Sequence, residues 1–583
     1  TSTDKSAAAF GFKFFNNVVV EPATADSSES LALLFSGRMN LQSLLPTAVG
    51  DGAMAFHFRD DVNLTNVQVV AKGFDFPQAT TSLTTFGGIL SSSSSSSPTR
   101  SSNWTLFSNS TADSALFTFS GVSASNISLL VEDVAATVNS IGVVSKYEGR
   151  SSGVQMTQDC RINGIAIIFK DIDLDLGANA SFSYLWRMWK AILIENGSIE
   201  LRGGSANIEA EHNANCVANP LTESDVVWNH IQFRFTNGHR LTCTGKTQGT
   251  SLMNLRSTTV PLNDTLFLVD DSSINIVGLG SGKTCLALKI EAPAPFFTVR
   301  FLNSTISSTC NGDDNRLLQI SSKANSTNTL LEFIDSSVNF RAPSGDCDLI
   351  INFNPVSQGW RSVFLRSKLD MFCAGTLSVT YNYRNTVADN FDLVFEDSVV
   401  LMKTSRSYAS KGWPGFMENY NVKYLGTPSV KLIRTKLRYF STYAVTLAYL
   451  TTTQLSAGAN IVFENSDIQL DCAVGYAFPV ADGADNVHIT LNATVIVFLR
   501  SSPFPAGATP NMRRILYSTD VSNFQIDVLD VEIRSEDQKF CGGYMFFVGD
   551  SFVGNHRITM SNVTLISSTS GFTTSTDVQT WMW

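Results

Sequence analysis

The feature that most restricts this chain is an octet, Leu331–Val338, reading L-E-F-I-D-S-S-V, which recurs along its length. Aligned on Asp335, the equivalent positions are Asn196, Asn237, Asp271, Asn303, Asp335, Arg366, Asp397, Arg434, Asn465, Ala493, Asp530 and Asn562. From Asn237 onward the copies lie 34, 32, 32, 31, 31, 37, 31, 28, 37 and 32 residues apart. A looser form continues upstream at Asn16, Asn66, Asn109, Asp133 and Asp171. Self-similarity at a period between 20 and 50 residues is the mark of a solenoid.

The residues of each copy say which solenoid. Two positions before the aligned site lie Phe235, Phe301, Phe333, Phe364, Phe395 and Phe463; four before it lie Val299, Leu331, Leu393 and Ile461. This period-two alternation puts the apolar side chains on one face of a strand, where a helical repeat would need them three and four apart. Asn and Asp at the aligned site tolerate the left-handed backbone that turns a chain sharply. Stacked in register, each copy satisfies its neighbour's open edge. The expectation is an all-β, right-handed parallel β-helix solenoid of about seventeen coils, period about 31–32 residues. Each coil would hold two or three short strands. At roughly 4.8 Å per coil the rod would be on the order of 80 Å long. The aligned Asn and Asp would form a partial hydrogen-bonded ladder, interrupted at Arg366 and Arg434.

Residues 1–150 read as irregular N-terminal coils with long loops, and 151–583 as regular coils continuing the same solenoid. Ser91–Ser97 followed by Pro98 is a low-complexity loop. Tyr184–Trp189 (Y-L-W-R-M-W) is an aromatic strand that serves as core or groove packing, or as a contact patch. Tyr408–Tyr424, with Gly412-Trp413-Pro414-Gly415, lengthens one coil into a loop of the kind that carries recognition.

Charged residues are only 16% and net charge is -10, with no basic stripe, which argues against a nucleic-acid partner. No run of about twenty apolar residues offers a membrane span. The chain opens almost directly into strand-like Phe12–Val20 and ends in Trp581-Met582-Trp583. We therefore expect a chain that has lost a leader or is a segment of something longer, with ends that meet other material.

Nine cysteines are present. Cys216 and Cys243, Cys285 and Cys310, and Cys347 and Cys373 are separated by 27, 25 and 26 residues, close to one coil, so each pair could bridge adjacent coils as in a secreted rod. Buried free thiols are the alternative. Eleven Asn-x-Ser/Thr sequons occur. Asn63, Asn103, Asn109, Asn126, Asn179, Asn263, Asn325 and Asn492 are candidates for sugar, whereas Asn196, Asn303 and Asn562 also occupy the repeat's turn.

Candidate chemistry is sparse. Gly278-Leu-Gly-Ser-Gly-Lys283-Thr284 resembles a phosphate-cradling loop, but Val277 stands where that motif needs glycine, and no helix follows. A Gly-rich turn explains these residues better. Asp171, Asp173 and Asp175 alternate along one strand, and Asp60-Asp61 and Asp313-Asp314 are further acidic pairs. The pairs lie many coils apart, so solvated turn acids explain them better than a calcium or glycan-cleaving site. No zinc-ligand spacing occurs among the six histidines and there is no C-x-x-C. No catalytic residues, cofactor or metal are expected.

Copies such as Val299–Ile306, Leu331–Val338, Leu393–Val400 and Ile461–Ile468, with Ser- and Thr-rich loops and scattered cysteines, carry a resemblance to a known group. The chain resembles the large β-helical surface proteins of kinetoplastids, the dispersed gene family proteins among them. That resemblance implies a glycosylated cell-surface or extracellular protein with an adhesive or structural role. The family has a membrane-anchoring region, and the lack of an apolar run here again leads to the expectation of a segment. The leading expectation is a non-enzymatic extracellular or cell-surface glycoprotein that contacts other surface proteins or glycans. The rivals are a carbohydrate-active or sugar-binding β-helix, whose groove would carry Trp or Tyr and acidic residues from adjacent coils, and a filament subunit assembling through the solenoid ends.

Overall fold

A computed structural model of the chain describes residues 9–15, 19–20, 31–36, 39–43, 51–72, 103–108, 113–140, 149–177, 182–189, 192–218, 226–247, 249–256, 262–280, 284–312, 314–320, 326–352, 356–382, 387–389, 391–405, 415–419, 422–442, 444–449, 454–455, 458–472, 474–479, 484–499, 513–535 and 546–567. These residues are strands and turns that wind as a parallel β-solenoid. The chain divides into two compact units, Thr1–Asn219 with Val226–Thr242, and Pro220–Asp225 with Cys243–Trp583.

In the second unit the octet is one wall and one corner of a coil. Leu330–Ile334 forms the first wall, and Asp335, with φ 50°, turns the chain into Ser337–Ala342 on the second. Asp346–Asn352 makes the third wall, and the short strand Val356–Gln358 leads to Gly359, whose φ of 65° starts the next coil at Arg361. Each strand pairs in register with its counterpart one coil on: Leu330 with Arg361, Ser337 with Lys368, Cys347 with Leu377 and Val356 with Val387. The backbone edges of these strands are thereby satisfied by their neighbours.

Register stacks like on like. Phe301, Phe333, Phe364 and Phe395 are fully buried, and consecutive ring centroids lie 4.9, 4.6 and 4.3 Å apart with planes 12°, 12° and 5° from parallel. This is the spacing of offset aromatic stacks. The turn column is left-handed throughout, from Asp271 (φ 46°) to Asn562 (φ 51°), and includes Arg366 (φ 49°), Arg434 (φ 48°) and Ala493 (φ 45°). Such residues resist this backbone by about 1–2 kcal/mol. Their corner is imposed by coil-to-coil bonds such as that from the Arg366 N–H to the Glu396 carbonyl, 2.9 Å.

Two corrections concern this column. Arg366 and Arg434 do not interrupt a ladder; each guanidinium grips the acid one coil back, Arg366 on Asp335 through two bonds of 2.7 Å and Arg434 on Asp397 through bonds of 2.7 and 2.9 Å. The longer ladder runs one residue later, inside the wall. The Ser272 N–H donates to Ser304 Oγ, Ser304 N–H to Ser336 Oγ, Ser336 N–H to Ser367 Oγ and Ser367 N–H to Ser398 Oγ, at 3.1 to 3.2 Å. The Ser336 and Ser367 hydroxyls donate in turn to backbone carbonyls of their own and the preceding coil. Thr435 and Ser466 repeat the pattern. The second Ser of the octet's D-S-S is therefore an outward wall residue, and the first is a buried rung.

The first unit uses longer strands. Asp113–Glu132 runs through two walls, bent at Gly121 (φ 62°) and Asn126 (φ 51°), before Asp133 turns the corner. Here the sequence alignment slips. Asn126, Gly164, Asn196 and His230 share register at a different corner from Asp133, Asp171, Gly203 and Asn237. Asn66 belongs with the former group, since Asn126 Nδ2 donates to its Oδ1 at 2.8 Å. Gly203 rather than Asn196 is thus the counterpart of Asp335, and Asn16 and Asn109 lie outside the described residues. Fourteen left-handed corners of this column are described, from Asp133 to Asn562, fewer than the seventeen coils expected.

The ladder and the exposed turn pair can be separated by substitution. Ser367→Ala orphans the buried Ser336 N–H and should lower unfolding stability by about 1–3 kcal/mol in urea titrations. Arg366→Ala should leave the urea midpoint unchanged, because its ion pair is solvent-exposed.

Candidate functional site

The second wall of the second unit presents its alternate residues outward. In Lys368–Cys373, Leu369, Met371 and Cys373 are buried, leaving Lys368, Asp370 and Phe372 on the outer face. Register then builds two outer columns. One reads Arg341, Phe372, Lys403, Phe440, Asp471; the other reads Asn339, Asp370, Leu401, Arg438, Gln469. Apart from Asn339, these residues line a groove of about 450 Å³.

Inside it, Lys403 Nζ lies 5.8 Å from the Phe372 ring centre and 5.3 Å from that of Phe440. Both are within cation–π range, so the ammonium is held between coils without a carboxylate. Arg341 bonds Asp370 at 2.7 Å, and Lys368 Nζ lies 3.6 Å from the same carboxylate. Against the cost of its own burial, these two cations keep the Asp370 carboxyl below its ordinary range. Neither Lys403 nor Arg438 is in an ion pair among the described residues. The groove therefore combines Lys403 and Arg438 outside any ion pair, the rings of Phe372 and Phe440, the neutralised Asp370 and a second acid, Asp471.

No family model matches this chain, and no curated protein or solved structure matches it either. The groove has to be judged on its own chemistry.

Its cations suit an anionic group. Lys403 and Arg438 sit on adjacent strands, where they can bond one anionic group or two successive ones. Asp370 is committed to Arg341, and the groove contains no Ser–His or Cys–His pair to activate a nucleophile.

A second cluster lies around the corner on the third wall. Asp348 is buried, accepts a 2.6 Å bond from Ser378 Oγ and stands 3.7 Å from Arg316 Nε. Arg316 is clamped by Asp314 at 2.7 Å. Burial pushes the Asp348 carboxyl up to about 7, more than Arg316 and Ser378 can offset. The two clusters are stitched together. The disulfide Cys347–Cys373 joins the residue before Asp348 to the residue after Phe372, and Cys285–Cys310 makes the same link higher in the stack. Between them the fully buried Asn315 occupies the corner, taking a 2.6 Å bond from Ser308 Oγ and donating to the carbonyls of Ser308 and Arg341 at 3.0 Å.

The other residues singled out from the sequence are dispersed. The bridge expected between Cys216 and Cys243 is not formed; both side chains are buried as thiols, a setting that suits cysteine as a small apolar residue. Gly278 ends a second-wall strand where a Cβ would collide with Cys285 Sγ, so the disulfide accounts for that glycine. Asp171 is a corner residue, Asp173 accepts a 2.8 Å bond from Ser205, and Asp175 is exposed. Asp60 and Asp61 also form a left-handed turn, with φ 59° and 63°. Asp313 lies outside the described residues. Among the described residues no group of acids, cysteines and histidines could hold a metal ion.

Of the sequons, Asn63 and Asn126 are exposed, Asn263 and Asn492 half-buried, and Asn103 opens a strand; Asn109, Asn179 and Asn325 lie outside the described residues.

Phe372, Lys403, Arg438 and Phe440 were missed from the sequence. A signal existed: Arg341, Phe372, Lys403, Phe440 and Asp471 each fall six residues after a turn residue, and Arg438 falls four after one. The alignment stopped at the corner, before these outward positions.

Asp348 gives a test of this corner. A carboxyl whose folded value is raised from 3.8 to about 7 contributes its full stability below 3.8 and loses it as pH rises to about 7. Asp348→Asn stays neutral. Its Tm should match wild type at about pH 4 and exceed it at about pH 8, measured by calorimetry across that window.

Proposed function

We propose that this protein is a non-enzymatic β-solenoid of the cell surface or extracellular space that adheres to acidic polysaccharide through the groove on its second wall. The observation that carries this reading is Lys403 poised between Phe372 and Phe440 beside Arg438, with neither cation in an ion pair among the described residues. An uncommitted ammonium and guanidinium suit a carboxylate or sulfate group. The aromatic rings add apolar surface for the C–H face of a sugar ring.

Repetition favours a polymer. Parallel strands repeat at about 4.8 Å, so successive coils present their outward groups along the stack. A chain of charged sugars can engage several of them at once, gaining avidity without any tight single contact. Cross-coil disulfides at Cys285–Cys310 and Cys347–Cys373 suit an oxidising compartment. The sequence resemblance to kinetoplastid surface proteins supports the same setting.

The test is a titration of the protein with polygalacturonate, heparin and neutral dextran by isothermal calorimetry. Binding should be confined to the two acidic polymers and weaken as salt rises. Lys403→Ala and Arg438→Ala should each reduce affinity roughly tenfold, the loss of one charge-assisted bond. Equal binding to dextran, or wild-type affinity in the double variant, refutes the reading.

A further inference from the structure

The first unit contains a second polar centre, on Asp113–Glu132, Arg150–Thr157 and Phe182–Trp189. It includes the aromatic stretch that the sequence singled out. Arg187 is only 2% exposed and bonds Asp113 Oδ2 at 2.6 Å. Arg150 reaches the same carboxylate at 3.6 Å and donates its backbone N–H to Asp113 Oδ1 at 3.2 Å. Both guanidiniums lie over the Trp189 ring, 4.4 Å and 4.6 Å from its centre. Two cations thus share one carboxylate, leaving one positive charge in excess.

The polar atoms around this centre are incompletely used. Arg187 Nε, Gln155 Oε1 and the hydroxyls of Thr118 and Ser151 are buried without hydrogen-bond partners, each on a side chain more than nine-tenths buried. An orphaned buried donor or acceptor is costly, and in native proteins it calls for an explanation. The orphans are of both kinds: Arg187 Nε donates, Gln155 Oε1 accepts, and the hydroxyls do either. Asp113 and Arg150 are each 18% exposed, so the centre is reached from that side.

We propose that this centre binds a protonated phosphate, either free phosphate or a phosphate monoester. The guanidiniums of Arg150 and Arg187 take its anionic oxygens, and the Asp113 carboxylate accepts from its O–H. A fully deprotonated oxyanion such as sulfate supplies no O–H and meets the Asp113 carboxylate as a like charge. The centre therefore discriminates phosphate from sulfate. The site is independent of the polysaccharide groove and stands or falls separately from it.

The experiment is thermal unfolding of the whole protein with inorganic phosphate, a sugar phosphate or sulfate, at constant ionic strength set by sodium chloride. Phosphate should raise Tm saturably in wild type and sulfate should not. A sugar phosphate acting at lower concentration than inorganic phosphate identifies the monoester as the better source. Arg150→Gln, at the exposed edge, should weaken the phosphate response roughly tenfold. Asp113→Asn removes the repelling charge and should admit sulfate, so that the two anions act alike. The proposal is overturned if phosphate gives no shift in wild type, if sulfate matches it there, or if Arg150→Gln responds as wild type does.

Discussion

Parallel pairing in register is the constraint from which the rest of this structure follows. A parallel strand offers its edge to the next coil in one alignment, and that alignment places each side chain over its counterpart. The phenylalanine stack, the serine ladder and the paired turn residues are one periodicity seen at three depths of the wall. A change in any single coil is therefore felt by both neighbours, and the energetics are those of nearest-neighbour contacts along a line.

Most of the fold was legible in the sequence because the apolar residues alternate and the turns repeat. The residues Phe301, Phe333, Phe364 and Phe395 fall into one column by sequence alone, and the column is there. The corner assignment was not legible, because Asn at a left-handed corner carries no label saying which corner it occupies. Asn196 and Asp171 look alike in sequence and sit at different corners. The disulfides divide in the same way. Spacing near one period is common to Cys285–Cys310, Cys347–Cys373 and the Cys216–Cys243 interval, yet only the first two are joined. Period says which residues occupy neighbouring coils; it does not say whether two Cβ vectors face each other.

The candidate site was less legible, for a related reason. Its members are ordinary outward residues, and nothing in a single octet distinguishes Lys403 or Arg438 from any solvated side chain. Their meaning appears only when several coils are placed side by side. Phe372 and Phe440 are 68 residues apart in sequence and flank one ammonium in space. In a solenoid, recognition is written across the repeats, whereas the fold is written along them.

The cross-coil bridges have a mechanical meaning. A stack of this kind opens coil by coil when it is pulled along its axis, because each step breaks only one seam. Cys285–Cys310 and Cys347–Cys373 each fasten two consecutive coils, and the buried Asn315 amide clasps the seam between the two pairs. Unravelling that advances from either side would stall there until a covalent bond is reduced. The groove around Phe372, directly beside Cys373, would outlast the surrounding coils under tension, and a reducing environment would withdraw that protection.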